Sequence, residues 1–313
     1  MSPLFSLIIP HKNTPHLLQR CLDSIPLRQD LQVIVVDDNS DGEVVDFTRF
    51  PGLDRDHTEV YFTKEGKGAG YARNVGLMHA KGTWILFADA DDYFYTDNLD
   101  RLLNLQFPQK YNLIVYGAKY IYVDGSFRWL GYDDNIGVNY DLTTRYDIEN
   151  ICSEFTVPWV KMIRNSFIKT NALNFEEVKY SNDEMFSVNV ALLTSSYGFL
   201  NVPVYVHQRI KGSLIETFSQ EMFVCRINVW FRKTKLLMRN NIKTDRPTWL
   251  YYGLNYISYP LFLKYVLKEL LFLGWNKTLS DYSVACSEFS ISRIPYLTKV
   301  KRKLRKTLHA MHL

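Results

Sequence analysis

Three carboxylates stand almost together in this 313-residue chain: Asp89, Asp91 and Asp92. They close the stretch Thr83 to Phe94, in which Trp84 to Ala88 is continuously apolar. Such a run is the pattern of a strand buried on both faces of a parallel sheet. Asp89 and Asp91 are two residues apart, so an extended chain would lean their side chains the same way. Like charges held that close repel unless a positive group neutralises them. A divalent cation would do so. Hard oxygen ligands suit magnesium or manganese, which bind through one or two carboxylates plus substrate phosphates. Taken alone, the same residues also make an ordinary solvated acidic turn.

A second candidate lies just before. Gly66-Lys67-Gly68-Ala69-Gly70 leads into Tyr71-Ala72-Arg73-Asn74-Val75-Gly76. Glycines ahead of a helix free backbone donors and the positive helix end to face an anion, and Arg73 sits within reach of phosphate. A glycine-rich surface turn fits the pattern too. No Gly-x-x-x-x-Gly-Lys-Ser/Thr is present, which excludes a P-loop.

The elements that must position these groups follow from periodicity. Phe5 to Pro10 reads as a strand. Pro15 to Ile25 reads as a helix, with Leu17, Leu18, Cys21, Leu22 and Ile25 on one face and Thr14 as its cap. Leu31 to Val36 is a second buried strand, ending in Asp37-Asp38-Asn39-Ser40. Strand, helix and strand in that order make a βαβ unit, and ligands of open α/β sheets bind beyond the carboxyl ends of the strands. Pro10 to Asn13, Asp37 to Ser40 and Asp89 to Asp92 are therefore expected along one rim. Further on, Val60 to Thr63, Leu113 to Tyr116, Ala118 to Val123 and Val202 to Val206 read as strands, with Asp124-Gly125 as a turn. Leu99 to Leu105 and Glu184 to Leu193 read as helices, the latter capped by Asn182 or Asp183.

Composition sets the bounds. Hydrophobic residues make up 47% and charged residues 22%, as in a globular protein able to bury a core. The four cysteines, Cys21, Cys152, Cys225 and Cys286, show no paired spacing, which argues against a zinc site or disulfide frame and suits a reducing cytosol. No signal pattern precedes Leu4, and no apolar stretch reaches the roughly 20 residues that span a bilayer.

The order of the pieces is more specific than any one of them. Ser6-Leu7-Ile8-Ile9-Pro10, Val36-Asp37-Asp38-Asn39-Ser40, Ala72-Arg73-Asn74-Val75-Gly76, Phe87-Ala88-Asp89-Ala90-Asp91-Asp92, Pro158-Trp159-Val160-Lys161 and Asn182-Asp183-Glu184-x-x-Phe186 stand in sequence. Together they closely resemble the family 2 glycosyltransferases, inverting nucleotide-sugar enzymes of the GT-A fold. Asn39 replaces the family's glycine and Asn182 its glutamate. The resemblance covers residue 4 to about 215. It implies an α/β, Rossmann-like mixed sheet flanked by helices over 1–217; the residue pattern beyond that reads as a mainly helical region over 218–313.

The resemblance also implies roles. Pro10 and Asp38 would border the nucleobase and ribose of a UDP-sugar donor, and Arg73 would face its diphosphate. Asp89 would hold ribose or metal. Asp91 would bind Mn2+ or Mg2+, with His207 either a further ligand or a structural residue. Asp92 would touch the donor sugar. Trp159 would stack on the sugar or serve as a core aromatic. Asp183 would be the general base, with Glu184 as its fallback. Lys211 and Ser213 fall where a loop could fold over the diphosphate.

Beyond residue 218 the resemblance fades. Phe223 to Met238 reads as a helix, and Leu250 to Leu273 is rich in Tyr, Leu and Phe. Phe289 to Leu313 lacks acids, and Arg293, Lys299, Lys301, Arg302, Lys303, Arg305 and Lys306 crowd it. A basic amphipathic helix there suits an anionic membrane surface. Nothing else resembles a nucleic-acid module, so no nucleic-acid partner is expected. The expectation is a cytoplasmic transferase, peripheral on the inner face of the membrane, whose acceptor is a glycan or lipid-linked glycan. Two other classes compete. A nucleotide-sugar pyrophosphorylase needs a glycine-rich signature with Arg and Lys in the first strand-to-helix loop, which here is His11-Lys12-Asn13-Thr14. A catalytically silent sugar-binding module is disfavoured by the presence of Asp89, Asp91 and Asp183.

Overall fold

The structure, a computed structural model, describes residues 3–143, 148–153, 155–209, 219–242 and 264–265. Lys211, Ser213, the stretch 250–273 except 264–265, and the basic end from 289 onward lie outside the described residues. Met1–Thr244 forms one compact unit and Asp245–Leu313 another. The first unit thus runs past residue 217.

The elements of that unit are, in order, β1 (Phe5–His11), α1 (Pro15–Asp23), β2 (Leu31–Asp38), β3 (Thr58–Thr63), α2 (Ala69–His79), β4 (Trp84–Phe87), β5 (Tyr93–Phe94) and α3 (Thr96–Leu103). There follow β6 (Leu113–Ile121), β7 (Phe127–Leu130), β8 (Asn139–Thr143), α4 (Ile148–Ser153), β9 (Lys161–Arg164), α5 (Asn165–Thr170), α6 (Glu184–Leu193), β10 (Tyr197–Gln208) and α7 (Gln220–Arg239). The strands form one sheet in the order β3-β2-β1-β4-β9-β6-β10-β5, with β7 on β6 and β8 on β10.

The sheet is mixed. β1 pairs in parallel with β2 on one side and β4 on the other, and β2 pairs in parallel with β3. β9 runs antiparallel between β4 and β6. Every residue of β1, β2 and β4 is buried, which is what their unbroken apolar runs require of strands covered on both faces. The chain leaves β1 toward β2 and β3, then returns through α2 to β4 on the opposite side of β1. At such a reversal, ligands of open α/β sheets bind beyond the carboxyl ends of the strands, here those of β1 and β4.

Local chemistry explains several boundaries. Pro15 starts α1, whose Leu18, Cys21 and Leu22 are buried. Thr14 occupies the cap position but makes no side-chain cap bond; its N–H instead donates to His11 Nε2 at 3.1 Å. β6 is one strand rather than the expected two. β10 is longer than expected because Pro203, which cannot donate to the ladder, sits at a register shift against β6 rather than ending the strand. β9 passed unnoticed in the sequence: its four residues hold a lysine and an arginine.

Candidate active site

The tip of β4 presents the acidic group, but not in extended form. Asp92 N–H donates to Asp89 O at 3.1 Å, closing a turn over 89–92. Asp89 and Asp92 accordingly take different partners. Asp89 sits with its N–H donating to Tyr205 Oη at 2.8 Å and its Oδ1 2.5 Å from Arg73 Nη2. Asp91 makes no ion pair among the described residues, and its backbone carbonyl accepts from Arg20. Burial, then the neighbouring charges of Asp92 and Asp89, push the Asp91 carboxyl up to about 7.

Asp92, expected against the donor sugar, is fully buried. It accepts from Tyr205 Oη at 2.7 Å and from Gln208 N–H at 2.9 Å, and lies 3.0 Å from His207 Nδ1. Its carboxylate locks the acidic turn to the end of β10 and is out of reach of a ligand. Burial pushes it upward. Trp159 is corrected likewise. It is 3% exposed, stacked 4.7 Å from Tyr205 and 5.5 Å from His207. It is a core aromatic backing those two side chains rather than a platform for a sugar ring.

With Nδ1 turned to Asp92, His207 keeps Nε2 for another partner. A carboxylate behind one imidazole nitrogen is the arrangement that orients a metal-ligating histidine. Burial lowers the His207 pKa, but the hydrogen bond to Asp92 and the charges of Asp92, Asp89 and Asp91 outweigh it, so the net shift is upward. Among the described residues no group of three or more His, Cys, Asp or Glu is arranged to hold an ion unaided. Asp91 and His207 supply at most two protein ligands, which fits a cation that completes its shell with substrate phosphate and water.

At the other end of the rim, β1 and β2 deliver Pro10 and Asp38, both buried. Asp38 Oδ2 accepts from Gly68 N–H at 2.8 Å, and Lys12 Nζ lies 3.5 Å away. Asp38 Oδ1 is buried with no partner. An orphaned acceptor of this kind is costly unless a ligand N–H or O–H meets it. His11 and Asp37, 2.8 Å apart, brace the same corner. Asp37 also accepts from Ser40 N–H at 2.9 Å and from Ser40 Oγ at 2.5 Å. Burial raises the Asp37 carboxyl, and these bonds more than offset it, so its pKa falls below the ordinary range.

Arg73 is placed differently from expectation. Gly68 caps the start of α2, and its φ of 94° disfavours any residue with a side chain. The helix then passes so close to the 176–182 segment that a Cβ on Gly70 would stand 2.2 Å from Glu176 O. That approach carries Arg73 inside, 4% exposed. Its guanidinium pairs with Asp89, donates to Asn182 Oδ1 at 2.8 Å and lies over the Phe175 ring at 5.3 Å. It is a strut between the acidic turn and the head of α6, not a free cation awaiting diphosphate, although its Nε remains unpartnered.

Asp183 stands at the N-cap of α6 but makes no side-chain cap bond. Its carboxylate is therefore not committed to capping. Burial pushes it up to about 6; Arg73 opposes the rise, and Glu184 and Asp89 add to it. Glu184 instead faces α7, 3.2 Å from Lys233 Nζ.

Lys161 stands in the motif Pro158-Trp159-Val160-Lys161 but was given no role from the sequence, although a lysine inside Val160-Lys161-Met162-Ile163 was the available signal. It is fully buried. Its Nζ donates to the carbonyls of Phe155 and of Val157, the latter at 2.6 Å. It thereby fixes the turn that carries Trp159. Burial pulls its pKa down to about 7 against the opposing charge of Asp183.

Comparison with known proteins gives the family and the fold. Glycosyltransferase GlyG of Streptococcus pneumoniae is 28% identical over 230 residues, covering 69% of this chain and 74% of that protein. The poly(ribitol-phosphate) beta-glucosyltransferase of Bacillus spizizenii is 27% identical over 193 residues, 60% of this chain but only 29% of its own length. The crystal structure of S. aureus TarS 1-349 in complex with UDP-GlcNAc superposes with a TM-score of 0.58 at 19% identity, covering 79% of this chain and 69% of that one. Residues 6–170 match the family described as Glycosyl transferase family 2. With its mixed sheet, its acidic turn at the tip of β4 and more than half its length within that match, the chain belongs to glycosyltransferase family 2 and carries the GT-A fold.

Proposed function

We propose that the chain moves a sugar, a hexose or N-acetylhexosamine, from a UDP-sugar to a hydroxyl of a glycan or lipid-linked glycan, with inversion, in building a surface polysaccharide. One observation carries the mechanism. Asp183 heads α6 without capping it, its pKa is raised to about 6, and Arg73 ties its neighbour Asn182 to the acidic turn. A carboxylate of that proton affinity is charged at neutral pH and basic enough to accept a proton from an attacking hydroxyl. A single base opposite the leaving group gives direct displacement and inverted configuration. Glu184, held by Lys233, is the weaker candidate for that role.

The nucleotide end supports uridine. The unpartnered Asp38 Oδ1 suits the imide N–H of uracil, with Pro10 beside it and the free oxygen of Asp89 placed for a ribose hydroxyl. Asp91 and His207 Nε2 would hold Mn2+ or Mg2+. When bound, such an ion offsets the charge developing on the departing diphosphate. The UDP-GlcNAc bound to TarS favours the same donor class, and the beta-glucosyltransferase of Bacillus spizizenii favours transfer of a hexose.

For the location, the support is the acid-free basic stretch 289–313, which suits the inner face of an anionic membrane. Among the described residues no helix is long and apolar enough to cross one.

The test is a panel of UDP-sugars with Mn2+, read as nucleoside diphosphate released in the presence of acceptor extracts, with and without EDTA. Release of UDP that EDTA abolishes is expected. Release of pyrophosphate instead would overturn the transferase reading. Flotation with anionic liposomes, comparing the full chain with one stopped at Ile294, tests the membrane role; equal binding by both would end it.

A further inference from the structure

The β6–β7 hairpin carries cations that lie over aromatic rings. Lys119 Nζ is 4.0 Å from the Phe127 ring centre and 5.4 Å from that of Trp129. Arg128 lies 4.5 Å over Tyr120. Arg209 donates its backbone N–H to Ile121 O, and its guanidinium lies 5.2 Å over Tyr122. None of these three cations makes an ion pair with a carboxylate among the described residues. Asp124 instead accepts from Ser126, and Asp134 accepts from Trp129 Nε1 at 2.9 Å. Arg209 Nε is buried and unpartnered.

A cation over a ring is partly desolvated but not neutralised, so its charge remains available to an anion. Arginine stacked in this way presents a planar fork matched to phosphate.

The hairpin also has a definite place relative to the chemistry. Tyr120 pairs across the ladder with Arg128, and Lys119 pairs with Trp129, so Tyr120 and Arg128 share one face and Lys119 and Trp129 the other. The Tyr120 ring meets His207 at 5.0 Å and Trp159 at 5.4 Å. That face therefore borders the His207 end of the site. It is far from the nucleotide corner: β4 and β9 intervene between β1 and β6 in the sheet. Three strand spacings amount to about 14 Å.

We propose that the face formed by Tyr120, Tyr122, Arg128 and Arg209 is the acceptor subsite, and that it takes a polyol or sugar chain bearing phosphate. The rings pack against carbon–hydrogen faces, and the two guanidinium groups pair with phosphate next to the hydroxyl that attacks. The proposal rests on the sugar-transfer reading above. The donor diphosphate is the other source of phosphate, and the experiment separates the two.

Full-length protein with Mn2+ is titrated calorimetrically with UDP, with a glycerol-phosphate oligomer, and with neutral maltohexaose. The wild type is expected to bind the charged oligomer and not the neutral one. Arg128→Gln combined with Arg209→Gln should weaken oligomer binding by at least about tenfold while UDP affinity stays within about twofold. Arg128→Glu alone, at an exposed position, should weaken it as well.

The proposal is overturned if the wild type ignores the charged oligomer, if both oligomers bind alike, or if the variants bind as the wild type does. Loss of UDP affinity in the variants would give the arginines to the donor and would also overturn it. Failure of the wild type to bind UDP at all would instead sink the transfer reading itself.

Discussion

Replacing Asp183 with asparagine keeps the side-chain shape at the head of α6 but removes the carboxylate proposed above as the proton acceptor. Positioned general bases contribute about 10²- to 10⁴-fold in rate, or roughly 3–5 kcal/mol of barrier. The structure argues for the upper part of that range, because the neighbouring Glu184 is held 3.2 Å from Lys233 on α7 and is poorly placed to substitute. Glu184→Gln should therefore cost little, within about threefold.

The same assignment predicts a pH limb. Asp183 must be ionised to act, and its pKa is raised to about 6. Turnover should be flat above neutrality, half-maximal near pH 6, and fall about tenfold per pH unit below it. The assay is nucleoside-diphosphate release with the UDP-sugar that the panel identifies, measured from pH 5 to 8.5 at saturating Mn2+. Asp183→Asn should lose both the rate and the limb. If it keeps a tenth of the wild-type rate, or if Glu184→Gln carries the loss instead, the base is misassigned.

Three stability predictions follow from the packing. Gly70→Ala puts a methyl group 2.2 Å from the Glu176 carbonyl oxygen; the backbone must move, costing about 1–3 kcal/mol, read as a lower urea midpoint. Asp92→Ala strands the buried Tyr205 hydroxyl and the Gln208 N–H. It should cost about 2–4 kcal/mol and lower the melting temperature even with no substrate present. Lys161 titrates near 7 when folded and at its ordinary 10.5 when unfolded. Between those values the unfolded chain binds the extra proton, so the lysine makes stability rise with pH by up to about 1.4 kcal/mol per unit. Lys161→Met should flatten that slope between pH 7 and 9 in urea titrations, and an unchanged slope would show that another group causes it.

How much of this was legible in the sequence depends on whether a residue's role is local. The unbroken apolar runs of β1, β2 and β4 specify buried strands by themselves, and the acids that follow them were placed on the correct rim. α6 and the β6–β7 turn were readable for the same reason. The roles of Asp92 and Trp159 were not, because both depend on β10, more than a hundred residues from Asp92 and some forty from Trp159. Nothing in Asp-Ala-Asp-Asp distinguishes the carboxylate that Tyr205 and His207 enclose from the one left open. Arg73 misled in the opposite sense: a basic residue after a glycine loop reads as a phosphate ligand, and only the close approach at Gly70 shows why it turns inward. The role of Lys161 was not legible because a lysine in a short apolar run has no periodic partner to show what it serves.

The buried guanidinium of Arg73 grips Asp89 with one nitrogen and Asn182 with another. With the roles proposed above for Asp89 and Asp183, donor recognition and hydroxyl activation hang from a single joint. A substitution made near Asp89 to admit a different nucleotide will reposition the proton acceptor too, and one made beside Asp183 to suit a different hydroxyl will reach back to the nucleotide. Evolving either preference in this enzyme means retuning the other, so redesign should begin on the outlying β6–β7 hairpin, which that joint does not touch.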